Sequence, residues 1–295
     1  MSIHAYKVFM TVAQYTSFAA AASVLNLTPS AISHIIAKLE AGMGFSLFVR
    51  KRNGVSLTAN GELILPRCVE VMQAQERLEQ QTAEVRGLSS GSISIASFNS
   101  VTVMWLPDII RQFHAQYPEI EIHVLQGTYD DVVYWLKLKI VDLAFVSESF
   151  IGGLDMTPLH RDSLLCVTPR DAYPEGTEFL TIDEIQGRTF IVQRDRYSLD
   201  ITPFLTENGI TVSHNFQLID DSSLAAMVAS GFGFCLMPKL AFATTSSDVA
   251  AYPLKPGRYR TIGLCESSPQ IASPAVAMMK NMIIDYIRQS NLHNV

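Results

Sequence analysis

The stretch that decides the fold is "LNLTPSAISHIIAKLEAGMGFSLFVRKRNGVSLT", residues 25–58. Thr28 is a good helix N-cap, and Pro29 suits the first helical position because its missing N–H costs no hydrogen bond there. The helix that begins here is predicted to end at Gly42. Two strand-like runs, "SLFVR" and "VSLT", then flank "KRNG", whose Asn-Gly pair is a strong hairpin-turn signal.

Two further helices are predicted before this stretch. "AYKVFMTVAQY" repeats apolar residues at helical spacing, and Ser17 can cap the Ala-rich helix "FAAAASVLN", which is expected to end near Asn26. Two helices joined by a tight turn form the helix-turn-helix pattern. With the basic hairpin that follows, residues 1–58 are predicted to be a winged helix-turn-helix domain.

Positive charge is concentrated in this domain. Residues 1–60 contain five Lys and Arg and a single acid, Glu40, so they carry +4 in a chain of net charge −6, and the remainder carries −10. A basic head on an acidic body suggests a polyanionic partner for the head alone. A chance cluster on a solvated surface is the alternative.

The helix that starts at Pro29 has the two faces that a major-groove helix needs. Ile32, Ile36 and Leu39 form a face to bury, and small polar residues lie opposite. We expect base contacts from Pro29, Ser30, Ser33 and His34, and phosphate contacts from the Lys and Arg side chains. The predicted DNA-binding set is Thr28, Pro29, Ser30, Ser33, His34, Lys38, Arg50, Lys51, Arg52 and Asn53.

A long helix is predicted over residues 58–88, with Pro66 near its start. Its apolar positions alternate by four and three, as in a heptad seam, and the seam positions are Ile64, Cys68, Val71, Gln75, Leu78, Thr82 and Val85. The length favours a coiled-coil dimer, so 59–88 is predicted to be a linker and dimerisation segment. An amphipathic helix that packs on its own chain is the alternative.

After the Gly/Ser-rich stretch at 87–92, strand and helix patterns alternate in two similar halves. This alternation predicts an α/β region over 92–295, and "SVTVMWLPDIIRQFHAQYP" is interpreted as one helix ending at Pro118. Ligands of such sheets bind in the crevice at the carboxyl ends of the strands.

Several function classes are disfavoured by the sequence. No nucleophile elbow, P-loop or dinucleotide fingerprint is present, so an enzyme is not expected, and neither is a cofactor. The four cysteines and the histidines lack metal-ligand spacing. No apolar run could span a bilayer and no signal peptide is recognisable, so we expect a cytoplasmic protein. An exported solute-binding protein would also leave residues 1–60 unexplained.

The sequence resembles the LysR-type transcriptional regulators. The motifs "SFAAAA", "TPSAIS", "KLE", "LF-x-R" and "LTANG" match the family pattern in order over residues 3–66, and "VDLAFV" and "MVASGFGFCLMP" match more loosely beyond. The resemblance implies a repressor or activator that binds double-stranded DNA at an interrupted palindromic promoter site. It implies a homodimer that assembles to a homotetramer, and a two-subdomain sensing region like a periplasmic type 2 binding protein.

The resemblance also implies an effector cleft between one subdomain at 92–161 and 267–295 and another at 162–266. Carried over residue by residue, its effector-binding positions are Asn99, Ser100, Val101, Thr128, Ser147, Gln193, Arg194, Arg196 and Ser222. Many family members carry Gln at the position of Pro29 and Arg at that of His34. We therefore expect more apolar and water-mediated base contact here.

The effector is expected to be a small carboxylate or similar anion. Ser100 and Ser222 lie at predicted helix N-termini, which favour anions, and Arg194 could bind a carboxylate bidentately. Alternatively, Arg194 and Arg196 pair with Asp195, Asp200 or a partner subunit. A thiol-responsive regulator is a second alternative, because peroxide-sensing family members use a cysteine pair in the second half, where Cys166 and Cys235 fall.

Overall fold

The computed structural model of the chain describes residues 2–51, 54–85, 91–194, 201–245, 248–269 and 272–292. They form two compact units. One holds Met1–Ser92 with Glu119–Glu121 and Lys137–Val141, and the other holds Ile93–Pro118, Ile122–Leu136 and Asp142–Val295.

The N-terminal part is a winged helix-turn-helix. Its elements are α1 (Ile3–Tyr15), α2 (Phe18–Val24), α3 (Pro29–Met43), β1 (Phe48–Lys51), β2 (Gly54–Leu57) and α4 (Ala59–Val85). Helix α3 runs one residue beyond the predicted end at Gly42. It stops because Gly44 takes the left-handed conformation at φ 82°, which glycine adopts without a Cβ penalty.

Helix α4 is continuous through Pro66, which lies inside the helix. Its first half packs into the same apolar core as α1 and α3: Leu65, Cys68 and Val69 are all buried there. The predicted seam is therefore wrong at Cys68, which faces its own domain. The exposed seam begins at Val71 and continues at Leu78.

From residue 91 the chain alternates strands and helices. The elements are β3 (Gly91–Ser97), α5 (Asn99–Met104), α6 (Leu106–Gln116), β4 (Ile120–Gln126), α7 (Tyr129–Lys137), β5 (Leu143–Ser147), β6 (Thr157–Pro169), β7 (Leu180–Thr181), α8 (Ile182–Ile185), β8 (Thr189–Gln193), α9 (Thr202–Glu207), β9 (Thr211–Leu218), α10 (Asp221–Ala229), β10 (Cys235–Pro238), α11 (Lys239–Phe242), β11 (Val249–Lys255), β12 (Tyr259–Glu266) and α12 (Pro274–Leu292).

The single helix expected up to Pro118 is two helices, α5 and α6, which meet at Trp105. Pro107 explains the break, because it has no N–H to continue the hydrogen-bond ladder of the preceding turn. The second helix reaches Gln116 and stops before Pro118.

The main sheet has the strand order β4-β3-β5-β12-β6-β11-β7, and β10 also pairs with β6. Strand β6 is much longer than the predicted run "SLLCVTP". Its residues 157–163 pair with β12, and its residues 164–169 pair with β10 and β11. Strand β12 in turn pairs with β5, so it belongs to the first half as well. The expected boundary at 266 therefore cuts off a strand that both halves share.

Candidate DNA interface and ligand cleft

Helix α3 begins as the sequence predicted. The Thr28 hydroxyl accepts a hydrogen bond from the Ala31 backbone N–H at 3.2 Å, and Pro29 occupies the first turn. The same hydroxyl lies 3.0 Å from the Ser30 Oγ. This cap leaves the start of α3 exposed to solvent, with Thr28, Pro29 and Ser30 all on the surface.

Helix α3 presents a polar face and buries an apolar one. Ile32, Ile36 and Leu39 are buried in the domain core. His34 and Lys38 are exposed, one turn apart, and Ser33 is half-buried. Residues at i and i+4 lie on the same side of a helix. The structure thus brings Ser30, His34 and Lys38 together on one surface, with Ser33 at its edge.

The lone acid of this region is withdrawn from that surface. The Glu40 carboxylate accepts the backbone N–H of Leu47 at 2.6 Å and that of Phe48 at 3.3 Å. It thereby joins the end of α3 to the first strand of the wing. This role was missed from the sequence, where Glu40 was only counted as charge.

The wing is a tight two-stranded ladder in which Arg50 pairs with Val55 and Lys51 with Gly54. It docks on the turn after α1, since the Val55 N–H donates to the Thr16 carbonyl at 2.9 Å. Lys51 is exposed. The Arg50 side chain, Arg52 and Asn53 lie outside the described residues.

A cavity of about 710 Å³ opens between the two halves of the α/β region. Its walls come from the segments that follow strands β3, β4, β8 and β9, where ligands of such sheets are expected. The lining residues include Asn99, Ser100, Thr128, Gln193 and Ser222, five of the nine predicted effector positions.

The other four predicted effector positions are placed differently. Val101 and Ser147 are buried beneath the surface and do not line the cavity. Arg194 is exposed and is also absent from the lining, so its predicted contact with an effector is not supported. Arg196 lies outside the described residues.

A buried ion pair forms the base of the cavity. The Arg260 Nε and Nη2 donate to Asp162 Oδ2 at 3.0 and 2.7 Å, and Nη2 also donates to the Ser100 Oγ at 2.9 Å. Nη1 donates to the Tyr129 hydroxyl. The other Asp162 oxygen accepts the Leu240 N–H at 3.0 Å. This network links the two halves of the α/β region, and the charges of Arg260 and Asp162 compensate each other.

Asp221 also lines the cavity. Its carboxylate accepts the Gln193 amide at 3.1 Å and a side-chain hydrogen bond from Asn99. Burial raises the pKa of Asp221 above its usual value, opposed by the charge of Arg260 and by these amide bonds.

Sequence reasoning missed Arg260, Asp162 and Tyr129. Arg260 and Asp162 lie on the two strands that it failed to define, far apart along the chain. The usable signal was the run "RYRTIGLCE", in which Arg260 precedes the apolar part of a strand.

All four cysteines are free and buried. Cys166 and Cys235 lie on the neighbouring strands β6 and β10, but they belong to the two different cores on opposite faces of the sheet. Burial raises the pKa of Cys166 to about 12 and that of Cys235 well above its usual value. Since the thiolate is the reactive form, this setting disfavours the thiol-responsive alternative.

The residues that the structure describes contain no cluster of three or more His, Cys, Asp or Glu suited to a metal ion. No helix among them is long and apolar enough to cross a membrane alone. The pair Phe18–Val24 and Pro29–Met43 meets the length and composition test only together, across a bend of 107°.

Two family models match the chain. The model for the "LysR substrate binding domain" matches residues 86–288, and that for the "bacterial regulatory helix-turn-helix protein, lysR family" matches residues 3–62.

Curated relatives span nearly the whole chain. YvbU of Bacillus subtilis, an uncharacterized HTH-type transcriptional regulator, is 28% identical over 287 residues, which are 96% of this chain and 97% of its own. LrrA of Synechococcus elongatus, a probable HTH-type transcriptional regulator, is 26% identical over 294 residues, which are 98% and 97% of the two chains.

Solved structures share the fold at low identity. A full-length OxyR variant from Pseudomonas aeruginosa has a TM-score of 0.71 at 18% identity and covers 98% of this chain and 95% of that one. Full-length CbnR in complex with its target DNA has a TM-score of 0.63 at 20% identity, covering 98% and 100%. The effector-binding domain of QuiR in complex with shikimate has a TM-score of 0.57 at 20% identity, covering 68% and 99%.

Proposed function

The chain belongs to the LysR family of DNA-binding transcriptional regulators, and from this premise we propose that it binds an interrupted palindromic promoter site in the cytoplasm as a homotetramer built from homodimers. Helix α3 enters the major groove, where Ser30, Ser33 and His34 contact base edges with Pro29 beside them. Lys38, Lys51, Arg50 and Arg52 contact phosphates, and Thr28 and Asn53 flank these two contact surfaces.

The observation that carries this proposal is the exposed face of α3. Ser30, His34 and Lys38 lie on it together, and the nearby Glu40 carboxylate is turned inward to backbone N–H groups. A groove-binding helix needs donors toward the bases and no uncompensated acid toward the phosphates. The polar half of α3 meets both conditions.

Site selection from a random duplex library, at fixed salt, supplies the DNA for the test. His34→Ala should then weaken binding to the selected site by about 1–3 kcal/mol and relax the base preference at one position. His114→Ala is the matched control, because His114 is equally exposed but lies on α6 in the other unit. Unchanged affinity and preference in His34→Ala would remove that residue from base contact, and failure to enrich any sequence would overturn DNA recognition itself.

We propose further that a small-molecule effector occupies the 710 Å³ cavity and changes DNA binding. This volume suits a ligand of metabolite size. Ser222 lines the cavity and is exposed, so Ser222→Trp should fill the space without disturbing a core. Ser230→Trp, at the far end of the same helix, is the control. The first variant should lose ligand-induced thermal stabilisation and keep DNA binding, and the second should keep both.

A further inference from the structure

The charges around the cavity do not favour the anionic effector that the sequence suggested. Among the described lining residues the charged side chains are Asp131, Asp220, Asp221 and Arg260. Three are carboxylates and one is a guanidinium.

The guanidinium of Arg260 is already paired within the protein. Arg260 and Asp162 form an ion pair in which the two side chains are only 2% and 1% exposed. Turning Arg260 toward an anionic ligand would leave Asp162 buried without its charged partner, and an unpaired buried charge is strongly unfavourable. Arg260 is therefore a fixed part of the cavity wall rather than a receptor for a carboxylate.

Two of the carboxylates are occupied by their own chain. The Asp131 carboxylate accepts the backbone N–H and hydroxyl of Thr128 at 2.9 and 2.8 Å. Asp220 caps α10 by accepting the Ser223 N–H at 2.8 Å and its hydroxyl at 2.7 Å. The N-terminus of α10, which was expected to attract an anion, thus already carries its own negative charge.

Asp221 differs from these two. The described donors to its carboxylate are the neutral side-chain amides of Gln193 and Asn99, one from each side of the cavity. They hold the carboxylate between the two sides of the cavity, whereas Asp131 and Asp220 are bonded within their own turns, and the Arg260 charge near Asp221 is already paired with Asp162. The remaining walls combine polar and apolar side chains, and the apolar ones include Phe98, Leu164, Val192, Ile201, Ile219, Leu224 and Leu236.

From this arrangement we infer that the effector is an organic amine, protonated at neutral pH, whose ammonium group pairs with Asp221 and whose apolar body lies against these walls. The inference rests on the proposed role of the cavity and specifies the chemistry it selects. An ammonium group satisfies a carboxylate that the protein has left with neutral donors, and an aliphatic or aromatic body buries the facing apolar surface.

Thermal denaturation with isosteric compounds tests the inference. One series is tyramine, 2-(4-hydroxyphenyl)ethanol and 3-(4-hydroxyphenyl)propanoate, and another is 1,5-diaminopentane, 1,5-pentanediol and glutarate, within a wider panel of aliphatic, aromatic and polyvalent amines. At least one amine should raise the Tm while its alcohol and carboxylate counterparts do not. Asp221→Asn should abolish that rise, and Asp183→Asn, an exposed carboxylate on α8, should retain it.

Three results would overturn the inference. Carboxylates or alcohols that raise the Tm where amines do not would refute the amine and leave the cavity as a ligand site. An amine that stabilises Asp221→Asn as well as the unchanged protein would remove Asp221 from recognition. A flat response to every amine would also refute it. None of these affects site selection on DNA, whose failure alone would refute the DNA-binding part of the proposed function.

Discussion

Arg260 on β12 and Asp162 on β6 form a buried ion pair in which the guanidinium Nη2 lies 2.7 Å from the carboxylate Oδ2. The two residues lie on the two strands that pass from one half of the α/β region to the other. The pair also holds Ser100 and Tyr129 from the first half and the Leu240 N–H from the second. One interaction therefore fixes the floor of the cavity from both sides.

Asp162→Ala should destabilise the fold by about 3–5 kcal/mol, because it leaves the Arg260 charge buried without a partner. The exposed pair of Arg170 and Asp248 offers a matched control. Asp248→Ala should change the free energy of unfolding by about 0–1 kcal/mol. Urea unfolding of both variants measures the contrast, and equal losses would contradict a special role for the buried pair.

Asp221 predicts a defined pH dependence. Its folded pKa is raised, so the folded state binds the proton more tightly and stability falls as pH rises through that pKa. The groups that face it are Asp220, Gln193, Asn99, Arg260 and Cys235.

Asp221→Asn should remove this decline. The unfolding free energy of the unchanged protein should therefore fall relative to the variant from about pH 4 upward. Urea midpoints measured between about pH 4 and about pH 7 test the difference. Parallel curves would show that the carboxyl is not perturbed by folding.

Alanine substitutions at Gly61 and Gly42 should change the free energy of unfolding in opposite directions. A Cβ at Gly61 would lie 2.3 Å from the Leu47 carbonyl oxygen, so Gly61→Ala should cost about 1–3 kcal/mol through overpacking. Gly42 is exposed inside α3, and Gly42→Ala should stabilise by about 0.5–1 kcal/mol. Chemical denaturation measures the change in the free energy of unfolding for each variant. A loss of stability in both variants would refute this explanation.

The exposed stripe of α4 predicts the dimer contact. Leu78 is 64% exposed and lies on the predicted seam, whereas Leu63 is 73% exposed and lies off it. Leu78→Glu should dissociate the dimer in sedimentation velocity, and Leu63→Glu should not. A dimer that tolerates glutamate at Leu78 would have to use another surface.

The buried thiols predict slow alkylation. Burial raises the pKa of Cys68 and Cys265 to about 11 and that of Cys166 to about 12, so almost no thiolate is present near neutral pH. Iodoacetamide should modify the native protein far more slowly than the urea-unfolded chain. Rapid native labelling of Cys166 or Cys235 would restore the thiol-responsive alternative, which cysteine-to-serine variants under peroxide would then test.

Local signals account for what could be predicted from the sequence. Ser17 and Thr28 cap the helices where expected, and the predicted hairpin forms with Lys51 paired to Gly54. Each of these depends on neighbours within a few residues. The cleft residues carried over from the family resemblance, such as Asn99 and Ser222, follow strands and therefore lie at the expected edge of the sheet.

Long-range pairing accounts for what was missed. The pairing of β12 leaves no local signal, because its neighbours β5 and β6 both lie far from it along the chain. The role of Arg260 depends on its ion pair with Asp162, which lies 98 residues earlier in the chain. Likewise, the spacing of Cys68 fits a heptad seam, but its side chain is buried in the core of its own domain. Spacing alone does not reveal which surface a helix face packs against.

Within the part of the chain that the structure describes, the backbone passes between the two halves of the α/β region only in β6 and β12, and neither passage is a loop. Both passages are hydrogen-bonded strands. A change in the width of the cavity therefore has to twist this strand pair, because no flexible loop is there to act as a hinge. Strand pairs are intrinsically twisted, and the degree of twist varies widely between sheets. A ligand that changes the width of the cavity would then rotate one half of the region against the other.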